Sequence, residues 1–105
     1  MKIPENIRIG GVDYKVELQG ALNDGVNMLY GQIDYQASEI KLNDDIEGHQ
    51  HQCITLWHEV LHGIVNNFGM EIEDEEKIVD MFAKGIYQVL QDNGAVLFDL
   101  RKEDA

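Results

Sequence analysis

Residues 48–69 read GHQHQCITLWHEVLHGIVNNFG, and the spacing of their apolar members predicts a helix over 48–68. Ile54, Trp57, Leu61, Ile64, Val65 and Phe68 recur at helical intervals, and Gly69 supplies the left-handed conformation that commonly closes a helix. The apolar residues fill a broad arc from Leu56 round to Val65, wider than a surface helix needs. Thr55, His58, Glu59, His62 and Asn66 form a polar strip beside it. A helix that is apolar on nearly all sides and keeps one polar strip reads as the floor of a site.

Working outward, the first half of the chain reads as strands. Ile7 and Ile9 alternate with polar residues, Gly10-Gly11 offers a two-residue turn, and Val12, Tyr14, Val16 and Leu18 alternate again, which predicts a hairpin. Residues 19–27 carry Gly20, Asn23, Asp24 and Gly25 and read as loop. Leu29, Ile33 and Tyr35 suggest a further strand with Gly31 as a possible bulge, and residues 36–39 turn into a short strand at 40–42. After the first helix, a second is predicted over 74–92, with Ile78, Val79, Phe82, Ala83, Ile86, Val89 and Leu90 as its apolar face. Asn93-Gly94 is expected to end it and residues 95–100 to add a last strand. Strands segregated from helices define an α+β fold, a small twisted antiparallel or mixed sheet packed on the two helices.

Within the first helix lies His58-Glu59-Val60-Leu61-His62. Residues four apart on a helix are offset by about 40° and one turn, so both imidazoles can reach one ion. Neutral imidazole nitrogens suit Zn²⁺, and two of them leave room for a third protein ligand and a water. Glu59, flanking the pair, can take a proton from that water, which makes it the candidate general base. The third ligand should be an acidic residue near the start of the second helix. With Ile78 at 0°, the apolar arc centres near about 70°, Glu75 falls at about 60° and Glu76 at about 160°. Glu75 therefore sits on the axis of the expected buried face, where a carboxylate needs a cation, and Glu76 is the alternative. Asp80, near about 200°, is expected to face solvent.

Other residues are weighed against plainer roles. His51 is separated from His58 by about 10.5 Å of helix and cannot share its ion unless the helix starts later. His49 reads as a polar residue ahead of the helix, and Cys53 as a small buried one. Tyr30, Tyr35, Tyr87 and Asn66 could each donate a hydrogen bond to a developing oxyanion, and nothing in the sequence ranks them.

The 105 residues make one domain spanning 1–105. Eight Lys+Arg against 20 Asp+Glu leave a net charge of −12. Nucleic acid and anionic membrane surfaces both select clustered cations, so neither is an expected partner. No apolar stretch approaches the roughly 20 residues that span a bilayer, and the first residues, MKIPENIRIG, contain no apolar leader core. The one cysteine, Cys53, cannot form an internal disulfide, which fits a cytoplasmic setting.

The β-rich first half, the segment Trp57-His58-Glu59-Val60-Leu61-His62-Gly63 and an acidic helix start leading to Phe82-Ala83 together resemble minimal zincins of the ImmA/IrrE-like metallopeptidase group. The chain is especially similar to small phage- and prophage-encoded proteins of that type. The resemblance implies zinc on His58 and His62, a general base at Glu59, a glutamate ligand on the second helix in gluzincin fashion, and a protein or peptide substrate. The family pattern usually carries its glutamate four residues before the Phe-Ala pair, where this chain has Ile78. A non-catalytic binding or regulatory module, with zinc holding the helices together, is the alternative function.

Overall fold

The structure, a computed structural model, describes residues 1–46 and 48–97. The hairpin forms where its turn chemistry dictates. Gly10 and Gly11 take φ of 58° and 84°, the left-handed pair that a two-residue turn between right-twisted strands requires. They join β1 (Asn6–Ile9) to β2 (Val12–Gln19), with Ile9 opposite Val12 and Ile7 opposite Tyr14. A second antiparallel pair, β3 (Gly31–Asp34) and β4 (Glu39–Asn43), places Ile33 opposite Ile40. β4 also runs parallel to β2, Val16 opposite Ile40, so the mixed four-stranded sheet has the order β1-β2-β4-β3. β3 is thereby left on an open edge. Gly31 forms no bulge; its register opposite Leu42 is regular.

α1 (His49–Asn67) lies across the sheet, packing Leu56 and Val60 against Ile9, Tyr14, Val16, Ile40 and Leu42. At the crossing point stands Gly63, where a Cβ would come within 2.9 Å of Ile9 Cδ1 and 3.1 Å of Ile33 Cδ1. The helix closes as expected at Gly69 (φ 62°), with the Met70 amide donating to Val65 O and the Gly69 amide to Asn66 O. α2 (Glu75–Leu97) packs on α1 and, among the described residues, touches no strand. The α+β molecule is thus layered sheet, α1, α2. A helix in the middle layer is covered on two sides, which accounts for the wide apolar arc of α1.

Two expectations for α2 need correction. The helix does not stop at Asn93-Gly94 but runs to Leu97. Gly94 is not among the glycines with positive φ, and Asn93 Nδ2 donates to Val89 O at 3.0 Å within the helix, so neither residue acts as a terminator. No strand forms over 95–97, and residues 98–100 of the expected strand lie outside the described residues. The buried face is also rotated. Val79, Ala83 and Tyr87 are the buried residues, at about 100°, 140° and 180° on the same wheel, whereas Ile78, Phe82 and Val89 are exposed. The apolar arc is broader than the contact, and the helix docks where the small Ala83 permits close approach to α1. No described helix is long and apolar enough to cross a membrane.

Candidate metal centre

Rotation of α2 brings acidic side chains onto the polar strip of α1. His58 and His62 turn toward each other, their Nε2 atoms 3.1 Å apart. Glu76 reaches both, with Oε1 2.8 Å from His58 Nε2 and Oε2 2.8 Å from His62 Nε2. One donor atom from each of the three lies within 4.8 Å of the others. Glu75, the first choice for third ligand, instead meets the opposite side of the second imidazole: His62 Nδ1 lies 2.6 Å from Glu75 Oε2 and donates to it. In the neutral imidazole, a proton donated there would leave the lone pair on Nε2, the atom that faces Glu76 and His58. Asp80, expected to face solvent, is half-buried with Oδ1 3.6 Å from His58 Nδ1, and its other oxygen accepts from Lys84 Nζ at 2.9 Å. Burial works against the charged form of His62, and the carboxylates of Glu75, Glu76 and Glu59 outweigh it, so its pKa is raised.

Glu59 is 7% exposed and, among the described residues, its carboxylate has no hydrogen-bond partner. Burial pushes its pKa up to about 7, His62 opposes the shift, and Glu76 adds to it. The carboxylate lies against the backbone of β3. A Cβ on Gly31 would come within 3.2 Å of Glu59 Oε2 and 2.5 Å of Thr55 Cγ2, so glycine is what lets the edge strand approach α1 here.

An open cleft of about 440 Å³ runs over these residues and is lined also by Met28, Tyr30, Ile54, Thr55, Asp80 and Lys84. The loop that carries Met28 and Tyr30 is anchored by buried Asn43, whose Nδ2 donates to Leu29 O at 2.8 Å while its Oδ1 accepts from the Asp45 amide at 2.9 Å. Tyr35 approaches from behind, its hydroxyl donating to His62 O at 3.1 Å. His51 borders the cleft outside the donor cluster, and Asn66 is exposed away from it. Tyr87 is buried in the helix contact. His49 and Cys53 belong to another face of α1, where His49 Nε2 lies 2.6 Å from Met1 O and 3.4 Å from Cys53 Sγ.

Sequence reasoning missed Asp80 and the role of Gly31. The first was hidden by the helix phase; a signal existed in the four-residue spacing of Glu76 and Asp80, which repeats that of His58 and His62. The second requires knowing that β3 passes over Thr55. Comparisons with protein-family models, with curated proteins and with solved structures give no match.

Proposed function

We propose that the chain is a zinc-dependent peptidase of the zincin type, resembling the ImmA/IrrE-like group in its sequence pattern. The observation that carries this reading is the convergence of His58 Nε2, His62 Nε2 and the Glu76 carboxylate at 2.8–3.1 Å beside a buried, unpaired Glu59. The donors fit the metal. Two imidazole nitrogens and a carboxylate oxygen are zinc donors, and ligands at about 2.0–2.1 Å in a tetrahedron lie about 3.3 Å apart, against 3.1 Å between the two imidazole nitrogens and 4.8 Å at most across one donor atom from each residue. Three protein donors leave the fourth position open, which favours catalysis over a purely structural ion.

In this reading His58, His62 and Glu76 hold the ion, Glu75 fixes the tautomer of His62, and Asp80 faces the outer nitrogen of His58. Bound zinc would supply a polarised carbonyl and a water of lowered pKa. Glu59, buried beside the imidazoles, would serve there as the general base and return the proton to the leaving amine. An extended substrate has a place to lie. The Asn43 amide donates to Tyr30 O, so hydrogen-bonded pairs alternate along β3 and the amide and carbonyl of Gly31 and Ile33 face the open edge.

Metal content per chain by native mass spectrometry tests the centre. Stoichiometric zinc in wild type and Glu59→Gln, lost in His62→Ala and Glu76→Ala and weakened in Glu75→Ala, is the expected pattern. No zinc in any sample, even after it is supplied, overturns the reading. Cleavage of peptide libraries then tests the chemistry. Ile33→Pro should stop cleavage with zinc still bound, because it removes an outward amide, whereas Ile33→Ala keeps that amide and should still cleave. Equal cleavage by both variants removes β3 from the substrate path.

A further inference from the structure

On the far side of His62 from the cleft lies a second hollow of about 410 Å³, lined by Tyr35, Val65, Asn66, Gly69, Met70 and Glu75. Glu75 joins it to the metal centre. Its Oε2 meets His62 Nδ1 at 2.6 Å, while its side chain stays 36% exposed and its Oε1 has no partner among the described residues. Tyr35 and Asn66, two of the side chains that could serve an oxyanion, stand together here instead.

The hollow continues the line of β3. Gly31 stands against Thr55 and Glu59, Ile33 Cδ1 faces Gly63, and the Tyr35 hydroxyl donates to His62 O. The strand therefore advances along α1 from the cleft toward the hollow. Asn66 lies one turn past His62, about 6 Å along the helix, and an extended chain rises about 3.4 Å per residue. A peptide laid on the open edge of β3 across the metal would reach the hollow about two residues further on. The lining selects what enters. Val65, Met70 and the ring of Tyr35 offer an apolar wall, and Glu75 and Asn66 offer a carboxylate and an amide. No Lys or Arg lines the hollow among the described residues, and the chain carries −12. A long aliphatic stem ending in a cation suits such a wall and carboxylate, whereas an acidic side chain would be repelled.

We propose that this hollow is a substrate subsite for a lysine or arginine side chain, about two residues from the scissile bond on the side toward Tyr35. The inference rests on the peptidase reading, which supplies the path along β3 and the position of the bond to be cut. Glu75 then serves two partners, with one oxygen on His62 and the other on the substrate's cation. A basic residue near the scissile bond becomes the mark of a good substrate.

Randomised peptide mixtures, with one position at a time fixed as Lys, norleucine or Glu, test this on the zinc-loaded chain. At one position, Lys should raise kcat/KM about fivefold to tenfold over norleucine, with Glu below both. Asn66→Lys puts a cation into the hollow and should erase that preference at unchanged zinc content. Gln88→Lys adds the same charge on α2 outside the hollow and should leave the preference within about twofold. Cleavage without a Lys preference at any position overturns the subsite and leaves the peptidase reading standing. Equal loss in both variants also overturns it, because the preference would then belong to the net charge. Failure to cleave any mixture removes the peptidase reading, and peptide binding to zinc-loaded Glu59→Gln, read by fluorescence anisotropy, then decides the hollow by itself. A Lys preference in binding that Asn66→Lys abolishes supports it, and equal binding of the Lys and norleucine mixtures overturns it.

Discussion

Burying Glu59 in a chain without metal leaves a carboxyl that holds its proton up to about pH 7, against an ordinary value of 4.5. The folded form then binds more protons than the unfolded one between those values, so stability is full below about pH 4.5 and falls as pH rises through 7. The span corresponds to roughly 3 kcal/mol. His62, its pKa also raised, adds a loss of the same sign on the alkaline side. Urea unfolding of zinc-stripped protein at pH 5 and pH 8 should show this decline, and Glu59→Gln should flatten most of it. A stability that rises over that interval would contradict the burial of Glu59 as the dominant cause. The neighbouring glutamates separate by their partners. Glu75→Gln leaves the donor set intact but loosens the orientation of His62, so zinc affinity should fall by about tenfold to a hundredfold, read by competition with a chelating dye. Glu76→Ala should cost far more.

At the level of elements, the approach of β3 to α1 depends on two small features facing each other. Gly31→Ala would drive a methyl to 2.5 Å from Thr55 Cγ2, and a destabilisation of about 1–3 kcal/mol is expected from overpacking. Thr55→Ser removes that Cγ2, so the double variant should recover most of the loss in chemical denaturation; additive losses would place the clash elsewhere. Much of this architecture was written locally. Gly10-Gly11, the alternation from Val12 to Val16, the spacing from Ile54 to Phe68 and the stop at Gly69 each carry their own conformational cause. The insertion of β4 between β2 and β3 is not local: nothing in residues 31–43 distinguishes pairing with β2 from staying at an edge. The same holds for α2. Its seven apolar residues span an arc about 140° wide, and only contact with α1 decides that Ala83, not Phe82, points inward. That choice of phase moved Glu76 and Asp80 to the histidines, so His58, Glu59 and His62 were legible as a motif while the division of labour between Glu75 and Glu76 was not.

Across the whole molecule, the candidate metal centre spans two layers: both histidines and Glu59 come from α1, and Glu75, Glu76 and Asp80 from α2. Zinc at about a thousand times its dissociation constant should therefore stabilise the fold by about 4 kcal/mol, and chelation should lower the melting temperature correspondingly. An unchanged melting curve after chelation would mean that the ion is not held by the folded state. The layering also makes the loss uneven. Among the described residues α2 packs on α1 and on no strand, and its buried stripe is Val79, Ala83 and Tyr87. Without an ion, α2 is held to α1 by that stripe and by the contacts of Glu75, Glu76 and Asp80 with the two imidazoles, whereas the sheet and α1 share a larger core. Amide exchange after chelation should accelerate through α2 well ahead of β2, β4 and α1. If zinc binds as proposed, the expected consequence is an outer helix that loosens and opens to proteolysis as the ion is withdrawn, while the sheet and α1 stay closed.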